Sequence, residues 1–235
     1  MRTKLRDELV ERWRDFPDSL NVVRARSSGT PNSRTDLRGL PFTTENFRNN
    51  IRSIDIDWAD FSYANFHKCN FFDANFSNCV FVGSIFTEIR QWNCRYSDCN
   101  FEKADFTNAT LGVGTLFEKC TFVGCKLKGK YFDFGSQNVF RECRFLDCKI
   151  QSAWIISVRF ERCIFRSKFL NVRFSGSVEA SVRASEGEYP ATLINCDLSK
   201  SEFKGVEIMD GAVMSGSVLP DQESERFNND RIFYE

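Results

Sequence analysis

Histidine and proline are scarce in this chain, and long apolar runs are absent. His67 is the one histidine among 235 residues, and no Ser or Cys nucleophile stands near it, so it offers no catalytic dyad. No stretch of about 18 apolar residues occurs, which excludes a membrane-spanning helix. The first residues, Met1-Arg2-Thr3-Lys4-Leu5-Arg6-Asp7-Glu8, carry acids and no apolar core, so no secretory signal is expected. There is no Gly-rich phosphate loop with a following Lys, and no pair of cysteines has CxxC spacing. No metal-ligand set stands out either. The chain is therefore not expected to be an enzyme, and no catalytic residue, cofactor, metal or small-molecule substrate is assigned.

What is abundant is cysteine and phenylalanine in one fixed relation. All ten cysteines stand two residues before a large apolar residue: Cys69 before Phe71, Cys79 before Phe81, Cys99 before Phe101, Cys120 before Phe122, Cys143 before Phe145, Cys163 before Phe165, and so on. The large residues recur every five positions. These centres run from Ile51 and Ile56 through Phe61, Phe66, Phe71, Phe76, Phe81 and Phe86, then from Tyr96 to Leu116, with only Gln91 out of pattern. After slips in register they resume at Phe117, Phe122, Leu127 and Phe132, then from Phe140 to Leu170, and finally at Leu193, Leu198, Phe203, Ile208, Val213 and Val218. Two residues before each centre the residue is usually small: Ala59, Ala64, Ala74, Ser84 or a Cys.

A period of five fits neither a helix nor a strand. It fits a coil that turns a corner every five residues, with one large and one small side chain inward from each side. Stacked coils cover one another, so the inward positions must be apolar and the second must be small enough for a close-packed interior. In that role Cys acts as a slightly larger Ala. Asp and Asn before the centres are expected to bond nearby backbone at the corners.

The blocks Ala59-Asp60-Phe61, Ala64-Asn65-Phe66, Cys69-Asn70-Phe71, Ala74-Asn75-Phe76, Cys99-Asn100-Phe101 and Ala104-Asp105-Phe106 resemble the pentapeptide-repeat family. The resemblance covers residues 37–174 and 191–219. It implies an all-β solenoid, a right-handed, four-sided parallel β-helix with four repeats per coil and about seven coils. At a rung spacing of about 4.8 Å the rod would be roughly 35 Å long. Residues 20 apart then stack on neighbouring rungs. Cys79 falls under Cys99 and Cys120 continues that ladder, Cys143 falls under Cys163, Arg141 faces Glu161, and Glu142 faces Arg162. The family's departures here are Phe rather than Leu at the centres and two interruptions.

Three parts are expected: an amphipathic helix and flexible linker over 1–36, the β-helix over 37–219, and a cap or dimerisation tail over 220–235. Leu5, Leu9, Val10, Trp13, Phe16 and Leu20 give the first segment helical spacing, ended by Pro17. The helix reads as a cap on the first coil or as a partner-binding element. The interruptions, 133–139 and 175–190, read as loops. Loops carry function disproportionately, so Glu179, Arg183, Glu186, Glu188 and Tyr189 are candidate partner-binding residues. Phe72 and Trp92, outward aromatics 20 apart, are candidates for a contact surface or for a stacked cross-rung pair. Residues 121–170 hold ten Lys or Arg against four Asp or Glu, while 171–235 hold six against twelve. Arg144, Arg159 and Arg166 are the candidates of that basic band.

A protein partner of unknown identity is the first functional expectation, with the rod as a rigid scaffold in a reducing cytoplasm. The resemblance implies a second, modulation of a type II topoisomerase by DNA mimicry, as in the gyrase-protecting quinolone-resistance members, which also carry projecting loops. The charge pattern disfavours it, because duplex DNA carries one charge per about 1.7 Å along its length. Direct nucleic-acid binding through the basic band is the third. No membrane partner is expected. The resemblance also makes a homodimer through the C-terminal end the alternative to simple capping.

One chemical prediction follows from the thiol positions alone. In the native chain none of the ten cysteines should react promptly with a water-soluble thiol reagent, and all should react in denaturant. Prompt labelling of several thiols in the folded protein would contradict the inward assignment.

Overall fold

The computed structural model describes residues 2–14, 29–30, 32–42, 50–175, 191–209 and 211–221. Across them the chain is an all-β parallel solenoid of about seven turns with one short N-terminal helix. Every strand pair within the solenoid is parallel. The longest ladder joins Asp55–Asp57, Asn75–Ser77, Arg95–Ser97, Leu116–Glu118, Asn138–Arg141, Val158–Glu161 and Thr192–Ile194.

Inward aromatic rings hold the rungs together. On one face Phe61, Phe81, Phe101, Phe122, Phe145 and Phe165 form a continuous stack, with successive centroids 5.2, 4.9, 4.8, 4.7 and 4.7 Å apart and nearly parallel planes. A second stack runs Phe76, Tyr96, Phe117, Phe140 and Phe160, at 4.6 to 5.0 Å. A third joins Phe66, Phe86 and Phe106 at 4.8 Å. These spacings match the separation of hydrogen-bonded strands, so a planar ring at each centre fills the space that the backbone ladder sets.

The small position does more than stay small. Cys99 Sγ donates to Phe76 O at 3.4 Å, Cys120 Sγ to Tyr96 O at 3.4 Å, and Cys163 Sγ to Phe140 O at 3.2 Å. Ser84, Ser167 and Ser201 do the same with their hydroxyls, to Phe61 O, Phe145 O and Phe165 O, at 2.7, 2.9 and 2.9 Å. Cysteine here is therefore not only an enlarged alanine; it is a buried donor to the rung before. The two expected cysteine ladders join into one column, Cys79, Cys99, Cys120, Cys143, Cys163 and Cys196, all buried and all free thiols. Burial is the first cause that pushes the Cys120 thiol up, and burial alone pushes Cys69 up to about 12.

Most corners close on a residue in the left-handed region, for example Trp58 (φ 53), Tyr63 (φ 63), Lys68 (φ 58) and Asp73 (φ 51). Such a conformation costs a non-glycine residue about 1–2 kcal/mol. The corner amides offset it by bonding the next rung, as with Tyr63 N to Val82 O at 2.8 Å and Lys68 N to Thr87 O at 3.0 Å. Asp and Asn side chains accept from the backbone two residues on: Asp60 from Ser62 N, Asn65 from His67 N, Asp105 from Thr107 N. Elsewhere they bond each other across rungs, as Asn70 does Asn50 at 3.0 Å.

Rung length varies, and this moves several expected centres. Arg90 pairs Thr110 but Trp92 pairs Val113, so Gly112 is an extra residue. A Cβ there would lie 1.6 Å from Gln91 O. The next centre is the buried Phe117, not the half-buried Leu116. Lys128 O accepts from Asn108 N, while Asp133 N donates to Ala109 O; the extra residues are thus Lys130 and Tyr131. Segment 133–139 is not a loop. Asp133 bridges to Thr110, Ser136 bridges to Val113, and Asn138 opens a strand. Phe134 is the centre, and Phe132 fills the small position. Later a corner residue is missing, since Leu146 pairs Arg166 and Lys149 pairs Lys168. That makes Phe169 the centre instead of Leu170. In the last coil Thr192 bridges to Val213 and Asp197 to Val218, which places Met214 and Leu219 inward and leaves Val218 54% exposed.

At the N-terminal end a helix spans Arg2–Glu11, shorter than the sequence spacing suggests. Leu9 and Trp13 are buried, while Leu5 and Val10 are exposed. Trp13 Nε1 donates to Arg38 O at 2.7 Å, and Arg12 forks onto Asp36 at 2.8 and 2.7 Å. The helix therefore covers the first coil. Thr35–Asp36, expected in the linker, pair with Ala59–Asp60 and already belong to the solenoid. Phe16, Leu20, the loop segment 176–190 and the tail 222–235 lie outside the described residues.

Gln91, the one polar centre, is 1% exposed, and its Oε1 has no hydrogen-bond partner among the described residues. An unsatisfied buried acceptor costs about 1–3 kcal/mol. Gln91→Leu is expected to raise the thermal midpoint, read by circular dichroism; a lowered midpoint would show that the amide is satisfied in solution.

Candidate functional site

Among the described residues, two concavities lie where the rung length changes. The larger, about 900 Å³, runs along one corner of the rod across five successive rungs. Lys68, Asn70, Glu88, Arg90, Asn108 and Thr110 line one end, and Lys130, Tyr131, Asp133, Ser152 and Trp154 the other. Its walls are rigid because the strands beneath it are paired, Asn70 with Arg90 and Arg90 with Thr110. The ladder is interrupted at this place: no backbone hydrogen bond joins 132–136 to 153–156 among the described residues. The extra Lys130 and Tyr131 fall at the preceding corner.

Tyr131 is 65% exposed and Trp154 is 54% exposed, in a chain whose other described aromatics are buried or packed. Both rings lie under cations of the chain: Lys130 Nζ is 5.2 Å from the Tyr131 centroid, and the Arg173 guanidinium is 5.4 Å from Trp154. Asp133 accepts one hydrogen bond, from Gly135 N at 3.0 Å. Burial pushes its carboxyl above the usual carboxylate range, and only that hydrogen bond opposes the push.

The smaller concavity, about 440 Å³, lies where the rung lacks a corner residue between Arg166 and Ser167. Lys149, Arg166, Lys168 and Lys200 line it together with Asp147 and Glu202. Lys168 is tied to Glu202 at 2.8 Å.

The sequence candidates distribute as follows. Phe72 and Trp92 are half-buried and stack on each other at 4.6 Å and 5°, with Arg52 4.0 Å over Phe72. Arg144 and Arg166 stand on one face, flanking the centres Phe145 and Phe165. Arg159 stands on the adjacent face and pairs with Glu161 at 2.6 Å. They form no single cluster. Glu179, Arg183, Glu186, Glu188 and Tyr189 lie outside the described residues. Arg141 bridges Glu161 at 2.8 Å and Arg162 bridges Glu142 at 2.8 Å, as the rung register requires. Arg95, Glu118, Arg141, Glu161 and Arg159 in fact make one alternating ladder. Arg141 chiefly holds the Glu161 carboxyl below its usual range, and Arg95 does so for Glu118.

Tyr131, Asp133 and Trp154 escaped the sequence reading. Their signal was present in the count: 23 residues separate the stacked centres Phe117 and Phe140 instead of 20; Gly135 repeats the Gly112 bulge and takes up one, and Lys130 and Tyr131 are the other two.

Residues 50–87 match the family described as Pentapeptide repeats, in 8 copies. No curated protein matches the sequence. Among solved structures, full-length QnrB1, a plasmid-mediated fluoroquinolone resistance protein, is 15% identical, with a TM-score of 0.38 over 82% of this chain and 95% of that one. HetL from the cyanobacterium Nostoc, a pentapeptide repeat protein involved in heterocyst differentiation regulation, is 16% identical, with a TM-score of 0.42 over 85% and 96%. Rfr23 from the cyanobacterium Cyanothece is 12% identical, with a TM-score of 0.26 over 76% and 90%.

A carboxyl whose pKa is raised by folding loses stability for the fold as pH rises through the folded value. Asp133→Asn keeps the acceptor for Gly135 N and removes the charge. The variant is expected to melt higher than the wild type at pH 7, and the difference should vanish in acid, below the ordinary carboxylate range. A variant that melts lower at pH 7 would show that the carboxylate is paired in solution.

Proposed function

We propose that this chain, a pentapeptide-repeat protein, is a non-catalytic scaffold that engages a partner protein through the groove at Lys130 and Tyr131. The observation that carries the proposal is the pair of exposed rings, Tyr131 and Trp154, at one end of one concavity. Exposed aromatics in a concave, preorganised setting are the usual anchors of protein interfaces. The solenoid supplies the preorganisation: Asn70, Arg90, Thr110 and Asp133 sit on paired rungs, and Trp154 on a rung paired with Arg173, so little freedom is lost on binding. The ten buried free thiols suit a reducing compartment, and no described helix is long and apolar enough to cross a membrane.

DNA mimicry finds little support in the surface charge. The Arg95 to Arg159 ladder alternates in sign along the rod, so its acids are neutralised rung by rung. Five of the ten Lys and Arg residues of the basic band are likewise compensated, since Lys126, Arg141, Arg159, Arg162 and Lys168 have acidic partners.

The test is affinity capture by the wild type beside the Tyr131→Ala, Trp154→Ala double variant. A protein retained by the first and lost by the second is the expected outcome; identical captures, or none, would refute the groove as the docking site. In parallel, supercoiling by purified DNA gyrase is expected to be unchanged across a titration of the chain to high micromolar concentration. Inhibition or drug protection there would revive the topoisomerase reading.

A further inference from the structure

The groove has a chemical polarity that narrows what it accepts. Its Asp133 carboxylate has fewer partners than the other partly buried acids of the rod: Asp60 and Asp197, which also lack an ion pair among the described residues, each accept from a serine amide and hydroxyl. Asp105 meets Lys126 at 2.7 Å, Glu118 meets Arg95 at 3.1 Å, and Glu161 meets both Arg141 and Arg159. Asp133 has only the amide of Gly135 and no ion pair among the described residues. Basic residues do line the groove, but each is committed or distant. Lys68 faces Glu88 at 3.7 Å, and Lys130 lies over the Tyr131 ring. Arg90 pairs in register with Thr110, which in turn bridges to Asp133. Arg90 thus stands two rungs from the carboxylate, about 10 Å at normal strand spacing.

The rings at that end suit a cation. The face of an aromatic ring carries negative potential, and a guanidinium or ammonium within about 6 Å of its centroid is attracted by about 0.5–2 kcal/mol. Both rings already show the preference: Tyr131 holds Lys130 and Trp154 holds Arg173, which comes from the rung beyond and is not part of the groove lining. Two exposed aromatic rings beside an uncompensated, half-buried carboxylate form a setting complementary to one positive side chain. The groove is also long. Five rungs span about 19 Å, the length of about six residues of extended chain.

We propose that this groove receives an extended segment of a partner protein and seats one lysine or arginine side chain of it between Tyr131 and Trp154, over the carboxylate of Asp133. The segment lies along the corner, with its cationic residue at the Trp154 end and its other end toward Arg90 and Lys68. The inference rests on the scaffold reading and specifies its chemistry. It also explains why a carboxylate that costs stability stands at this position.

The experiment uses the full chain and four pools of fluorescein-labelled heptapeptides, randomised except for a fixed central arginine, lysine, citrulline or glutamate. Fluorescence polarisation should show the arginine and lysine pools binding about tenfold or more tighter than the citrulline and glutamate pools, about 1.4 kcal/mol per decade. Asp133→Asn should erase that advantage, and Trp154→Ala should weaken the cationic pools while leaving the melting temperature within a few degrees. Equal binding of the arginine and citrulline pools, a preference for glutamate, a charge preference that survives Asp133→Asn, or no binding by any pool would each overturn the proposal. The scaffold reading fails separately: a captured partner lost from the Tyr131→Ala, Trp154→Ala variant but kept by Asp133→Asn leaves the scaffold in place and overturns only the cationic specificity.

Discussion

Face-to-face stacking of aromatic rings at the rung spacing is the constraint on which the rest of the molecule depends. The backbone ladder fixes the repeat along the axis near 4.8 Å, and the inward rings follow it at 4.6 to 5.2 Å. A residue at a centre position has a floor and a ceiling set by its neighbours 20 or so residues away. The position after the corner is then left with space for a thiol, a hydroxyl or a methyl, and a carbonyl of the preceding rung lies within reach. Cysteine and serine exploit it by donating. Alanine fills the same space without doing so, which is why all three predominate there; Ile54, Ile89 and Phe132 are larger exceptions, all buried.

The same constraint forces irregularity outward. The interior accepts one ring and one small group per side, so extra residues cannot enter it. Gly112 accommodates one extra residue by running its backbone against Gln91, with no side chain to clash. Lys130 and Tyr131 exceed what a bulge can absorb, and they project. The missing residue after Arg166 does the reverse and leaves a notch. Concave surface on a rod of otherwise uniform sides therefore arises where the count per coil departs from 20, and the proposed site follows from that arithmetic.

Surface charge obeys the register too. Outward residues on adjacent rungs lie about 5 Å apart, so like charges in one column repel and opposite charges pair. The ladder from Arg95 to Arg159 alternates accordingly. Exposed pairs of this kind are individually worth little, but they specify which rung sits on which. Asp133 departs from that pattern: among the described residues its carboxylate meets no cation and no hydroxyl, only the amide of Gly135.

The sequence by itself determined the parallel solenoid, its five-residue side, the inward role of all ten cysteines and the Arg141 to Glu161 and Arg162 to Glu142 pairs. A strict short period calls for a coil that buries every large residue, and the family resemblance added four repeats per coil, which sets those pairs. What the tertiary structure alone decided is where each coil gains or loses a residue. Leu116 or Phe117, Phe132 or Phe134, Leu170 or Phe169, and Val218 or Leu219 are all apolar neighbours of a corner, and local sequence offers each pair equal claim to the interior. The choice is made by the hydrogen bonds to the rung before, which are non-local. Tyr131, Asp133 and Trp154 meet only because that choice pushes Lys130 and Tyr131 out of the ladder, and no local pattern announces it.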